Sequence, residues 1–180
     1  DLVEALLDEI KFLKDYQYEC NEQLASRLRA LLLEQKIQAF RGEKFKNEGE
    51  VRKVIRKLVG HQNQDGSWSW WDTGDGGVWV TLHVAAALNM AESGGFPVAI
   101  DKQSLINYLE INLADLASKH RLHVQAYLLE QGEKLQVRAL ADSLRHSEKA
   151  SLHDKLLAQR LMQLSGEKPD WTWINKNKGK

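Results

Sequence analysis

The chain has 180 residues, a length that predicts one domain with a sizeable core. Apolar residues make up 43% and charged residues 28%, which excludes a disordered segment. Lys+Arg and Asp+Glu both number 25, so the basic excess of a nucleic-acid binder is missing, and a single cysteine excludes an intrachain disulfide framework and a multi-cysteine zinc site.

Eight helices and no strand are expected in chain order. The first spans about Leu2 to Leu13, with Leu2, Leu6, Ile10 and Leu13 at helical spacing. The second starts near Cys20 or Asn21 and carries Leu24, Leu28, Leu31 and Leu32. The third follows a break at Gly49, with Val51, Val54, Ile55, Leu58 and Val59 inward and Arg52, Lys53, Arg56 and Lys57 outward. The fourth, about Val78 to Ala91, is apolar nearly all round and reads as buried; Gly94-Gly95 ends it and Pro97 blocks its continuation. Four more follow at about Lys102–Ala114, Arg121–Gln131, Gln136–His146 and Ser151–Leu164. Asp101 and Ser151 are the expected N-caps, Gly132 and Gly166 the expected stops. Helices joined by short breaks predict an all-α array of helical hairpins. No apolar run nears the roughly 20 residues of a membrane span, so direct membrane insertion is not expected. The chain opens on Asp1 rather than Met, and residues 1–180 are expected to be a single domain of a much larger protein.

Leu58 to Trp70 can be laid over Leu161 to Trp173: each runs from a helix into a polar turn and a Trp-x-Trp pair. The first copy has the form Gln-x-x-x-Gly-x-Trp, carried by Gln62, Gly66 and Trp68. Glycine permits a tight turn, the glutamine amide can cap backbone groups at a helix end, and the tryptophan packs with its N–H seeking an acceptor. This motif resembles the recurring turn of (α/α) toroids, found in terpene cyclases, protein prenyltransferases and thioester domains. Asp72 to Gly77 reads as an acidic loop without the spacing of a calcium or phosphate site.

The chemistry is concentrated in Tyr18-Glu19-Cys20-Asn21-Glu22-Gln23. At a helix start, a spacing of three puts Cys20 and Gln23 on one face. A thiol beside a carboxamide can close an internal thioester with loss of ammonia. The partial positive charge of a helix N-terminus favours negative charge on sulfur and so makes it a better leaving group. Glu22 could position the amide or relay a proton, or simply face solvent. Tyr16, Tyr18, Trp70 and Trp71 would shield the bond, or else belong to the core.

Tyr-x-Tyr-x-Cys-x-Glu-Gln followed by Leu24-Ala-Ser-Arg27 resembles the thioester site of the alpha-2-macroglobulin and complement family, in its bacterial branch. Gln62 to Trp71 and Gly77 to Val84 are similar to the toroid segment that follows it. Gln17 departs from the proline that the family often has there. The resemblance implies an (α/α) toroid of helical hairpins, partial or shortened here. It implies the thioester domain of a protease trap, in which bait cleavage exposes the bond and Gln23 acylates a lysine of the attacking protease. Such a trap is not a turnover enzyme and needs no cofactor or metal. Its partners are target proteases and the other domains of its own chain, and its place is periplasmic, extracellular or on the cell surface. Thioester residues are then Cys20 and Gln23, supported by Glu22 and Tyr18. In some relatives a histidine takes the acyl group first; His120 and His123, at a helix start, are the candidates, and ordinary surface histidines read the same way. His120-x-x-His123 lacks a convergent third metal ligand, and His146 and His153 read as exposed helix-end residues. In a fragment, Cys20 is expected free beside Gln23, intact or hydrolysed.

Two other classes remain. A terpene cyclase or prenyltransferase-like barrel is allowed by the Gln-x-x-x-Gly-x-Trp turn, but no acid motif or zinc set is present and aromatic residues are only 8%. A non-covalent docking module with a vestigial thioester is the other.

Overall fold

The computed structural model describes residues 19–147, 149–168, 172 and 175, without the side chains of 118 and 119. Among them are seven α-helices and no strand: α1 (Asn21–Phe40), α2 (Glu48–Gly60), α3 (Val78–Ser93), α4 (Lys102–Asn112), α5 (Ser118–Glu130), α6 (Arg138–His146) and α7 (Leu152–Leu164). The all-α architecture of helical hairpins follows the apolar periodicity closely. The helix expected over Leu2–Leu13, Tyr16, Gln17 and Tyr18, and the second Trp-x-Trp pair at Trp171 and Trp173 lie outside the described residues.

The chain divides into two compact units, the first ending at Tyr108 and the second beginning at Leu109. In the first, α1 packs against both α2 and α3. Leu24, Leu28, Leu31 and Leu32 form the buried stripe of α1, and Val51, Val54, Ile55 and Leu58 that of α2. Val80, Val84, Ala85, Ala87, Leu88 and Ala91 bury α3, although Trp79 is 46% exposed on its other side. In the second unit, α5 and α6 both pack on α7. Its core is Leu122, Ala126, Val137 and Leu161, ringed by Leu129, Leu135, Leu140, Leu144, Leu157 and Leu164.

Several boundaries differ from expectation: α4 stops at Asn112, α5 starts at Ser118 and α6 at Arg138. α2 begins at Glu48, so Gly49 lies inside its first turn instead of breaking the chain. The first N–H groups of a helix have no intrahelical partner, which makes glycine cheap there, and Glu48 and Glu50 suit the positive end of the dipole. The expected caps are in place. Ser151 accepts from the Asp154 N–H at 3.2 Å while its own N–H donates back to Asp154 Oδ2 at 3.3 Å. Asp101 Oδ1 accepts from the Ser104 N–H at 3.0 Å at the start of α4. At the C-terminal stops, Gly132 and Gly166 take φ of 93° and 90°, letting the Glu133 and Glu167 N–H groups turn back to Leu128 O and Met162 O, each at 3.0 Å.

Candidate functional site

Cys20 is the N-cap residue of α1, in extended backbone (φ −69°, ψ 158°) just before the first helical residue. It is buried, 6% exposed, and its thiol is free. Gln23, three residues on, folds its side chain back toward the helix start, where Gln23 Oε1 accepts from the Cys20 N–H at 3.3 Å. This is the reciprocal half of a capping box, and it holds the carboxamide of residue 23 over residue 20.

What fixes this helix start is Asn21, which the sequence did not single out. Its side chain is fully buried, and its backbone N–H donates to Trp70 O at 2.8 Å. Asn21 Nδ2 donates to Ser69 O at 2.9 Å and to Trp71 O at 2.6 Å, and Asn21 Oδ1 lies 2.7 Å from His61 Nδ1. One amide thus satisfies two loop carbonyls and a helix-end histidine. Buried asparagine is tolerated only when bonded in this way. No local sequence signal marks it, because its partners sit 48 and 50 residues away.

The loop that receives Asn21 is built by the Gln-x-x-x-Gly-x-Trp turn. Gln62 Oε1 accepts from the Asp101 N–H at 2.9 Å, and Gln62 Nε2 donates to Asp101 O at 3.1 Å and Gly66 O at 3.2 Å. Gly66 has φ of 86°, and a Cβ there would lie 2.2 Å from Leu105 N. Only glycine lets the first turn of α4 approach so closely. Trp68 is fully buried, with Nε1 donating to Leu58 O at 2.7 Å. Its backbone N–H donates to Thr81 Oγ1 at 2.9 Å, which ties the loop to α3.

Beside Gln23 runs a second feature. Ser26 Oγ donates to Glu22 Oε1 at 2.9 Å and lies 3.1 Å from His83 Nε2. With the hydroxyl proton directed to Glu22, the serine oxygen accepts from an Nε2–H tautomer of His83. Burial pushes the His83 pKa down, the Arg29 charge pushes it further, and Glu22, at 3.7 Å, opposes both. Trp79 stacks on His83 with ring centres 5.3 Å apart, and Trp70 stacks on Trp79 at 5.4 Å. Glu22 is therefore half-buried in a Ser–His cluster, not loose in solvent. Trp70 and Trp71 are 53% and 60% exposed, so neither belongs to the core.

His120 and His123 lie in α5, in the second unit, whereas Cys20 and Gln23 lie in the first. His123 faces His153, thirty residues on, with Nε2 atoms 3.4 Å apart.

The sequence is 29% identical, over 99 residues, to the alpha-2-macroglobulin of Thermotoga maritima. The chain is related to alpha-2-macroglobulin. That match covers 54% of this chain and 6% of the Thermotoga protein. The fold is similar to the crystal structure of native alpha-2-macroglobulin from Escherichia coli spanning domain MG7 to the C-terminus, with a TM-score of 0.67 at 23% identity, over 95% of this chain and 30% of that one. It is equally similar to the cryo-EM reconstruction of the native Escherichia coli protein, with a TM-score of 0.69 at 23% identity, over 95% of this chain and 12% of that one. At that identity the solved alpha-2-macroglobulins speak for the fold alone. The chain spans well under two thirds of the length of each of these relatives. No family model matches it.

Proposed function

We propose that this chain is the thioester-type domain, over residues 1–180, of a bacterial macroglobulin-like protease trap. The observation that carries the reading is the Gln23 side chain folded back onto the Cys20 N–H at the mouth of α1. That contact sets the Gln23 carboxamide beside the backbone of residue 20, whose thiol is its proposed thioester partner. The Cys20 sulfur adds to the Gln23 side-chain carbonyl carbon, the thiol proton passes to the amide nitrogen, and ammonia leaves. The product is an acyl group activated for attack and sheltered by burial of residue 20.

An amine, such as a protease lysine, attacks that carbonyl carbon. A C–N bond forms, the C–S bond breaks, and the proton lost by nitrogen ends on the Cys20 sulfur. The acyl transfer happens once per molecule, so this is capture and not turnover. Glu22 sits beside Gln23 and is held by Ser26 and His83, a position suited to accepting a proton from the incoming amine. Tyr18 is proposed to support the bond. For a histidine relay the proposed candidates are His120 and His123, which belong to the second unit. Target proteases and other domains of the parent chain are the proposed partners, in a periplasmic, extracellular or cell-surface setting. Among the described residues no helix is long and apolar enough to cross a membrane.

The test is the intact mass of the full-length parent with and without methylamine. A mass short by one ammonia is expected, which methylamine addition at Gln23 raises to one CH2 above the full mass with release of a titratable thiol. A parent with full mass and no methylamine uptake removes the thioester and leaves a non-covalent helical module.

A further inference from the structure

His61 is the C-cap residue of α2, and the capture chemistry gives it no role. Its Nδ1 lies 2.7 Å from Asn21 Oδ1, although 40 residues separate the two. Asn21 Nδ2 faces two carbonyl oxygens, Ser69 O at 2.9 Å and Trp71 O at 2.6 Å, which only accept hydrogen bonds. The amide nitrogen must therefore be the atom on that side, and its oxygen the atom turned to His61. An oxygen there needs a donor, so the proton of neutral His61 sits on Nδ1.

That proton bears on Cys20. Asn21 is fully buried, where an amide oxygen without a donor is costly. Its backbone N–H donates to Trp70 O at 2.8 Å, so residue 21 holds three consecutive carbonyls, those of 69, 70 and 71. The Cys20 C=O, on the same peptide, accepts from the Leu24 N–H at 2.9 Å. Both ends of the 20–21 peptide are thus fixed, and from that frame Cys20 presents its N–H to Gln23 Oε1 at 3.3 Å. On the other side of Cys20, Glu19 pairs with Lys57, one turn before His61 on α2. That pair is screened by solvent, which leaves His61 as the stronger of the two tethers.

We propose that His61 is a positioning residue for closure of the thioester, a role that rests on the function proposed above. It touches neither reacting group. Its Nδ1–H sets which way the Asn21 amide faces, and the Asn21 network holds residue 20 where the thiol can add to the Gln23 side-chain carbonyl carbon. In that step the C–S bond forms, the C–N bond breaks, and nitrogen leaves as ammonia with the thiol proton. A misplacement on the order of 1 Å can cost about 100-fold in such a closure, so a donor lost beneath this backbone is felt.

H61L and H61N in the full-length parent test this, by intact mass with and without methylamine. Leucine fills the site, keeps water out and donates nothing, whereas asparagine sets its Nδ2 donor where the His61 Nδ1 stood. H61L is expected to lose most of the ammonia-short, methylamine-reactive species, and H61N to regain it. L161A, which weakens the second unit, controls for stability alone and keeps the bond. Long-range proton–nitrogen NMR spectra of the 180-residue chain, in mildly alkaline buffer, give a readout independent of the thioester, with the His61 proton expected on Nδ1. A His61 proton on Nε2 overturns the proposal. So does a parent that carries the bond equally in wild type and H61L, an H61N no better than H61L, or a loss in L161A that matches the loss in H61L. A wild-type parent of full mass removes the thioester reading and this role with it.

Discussion

The two units solve the same problem, burying helix faces in pairs, by different means. In the first, buried polar side chains knit the loop before α3 to its helices. Asn21, Ser69 and Thr81 each bond to a backbone carbonyl of residues 68–71, and the Trp68 indole N–H bonds to Leu58 O. In the second, leucines do most of the work around Leu122 and Leu161, and the turns between helices close with glycine stops. A leucine core tolerates adjustment, because apolar contacts are non-directional. A polar lattice allows one arrangement, because an unmet buried donor or acceptor is expensive. The unit that carries Cys20 and Gln23 is the one built for a single geometry, as the bond proposed between those two side chains requires.

The sharpest test of this contrast is Trp68→Ala. It opens a large cavity and removes the indole donor to Leu58 O, and about 3–5 kcal/mol of stability is expected to go, as read by denaturant unfolding. Leu161→Ala, in the leucine core, is the matched control at about 2–5 kcal/mol. The contrast lies in Trp68→Phe, which keeps most of the apolar volume yet still costs about 1–3 kcal/mol through the lost N–H. A neutral Trp68→Phe would erase the polar side of the comparison. Next is Gly66→Ala, where a φ of 86° and a Cβ 2.2 Å from Leu105 N combine strain and overlap for about 2–4 kcal/mol. Asn21→Ala leaves Ser69 O and Trp71 O without their amide donor and costs about 1–3 kcal/mol. It also loosens the start of α1, so methylamine uptake by the parent falls with it. Ser151→Ala in the second unit removes only an exposed cap and costs about 1 kcal/mol.

His83 supplies the smallest effect and a sign. Its pKa is lowered in the folded chain from the ordinary 6.5. The unfolded chain therefore binds more protons between that lowered value and 6.5, and stability falls as pH drops through this window. Above 6.5 both states are neutral and nothing is lost. His83→Gln is expected to flatten this acid limb of a melting-temperature profile while changing little at neutral pH. An unchanged profile would show that His83 titrates normally.

The sequence alone determined the helices, because stripes such as Val51-Val54-Ile55-Leu58 and caps such as Ser151 act within one turn of the chain. It also determined the pairing of Cys20 with Gln23, since a spacing of three on a helix start is itself a distance. The Gln62-Gly66-Trp68 turn was legible as architecture for the same reason. What only the tertiary structure decided was the company these residues keep. Asn21 reads as an ordinary polar residue until the carbonyls of 69 and 71 arrive from far along the chain, and His83 reads as one more position of an apolar helix until Ser26 and Glu22 face it. His123 likewise looked toward His120 by spacing and toward His153 by packing. Local periodicity follows from backbone geometry, whereas these meetings follow from which helices share a buried face, and no short stretch of sequence encodes that.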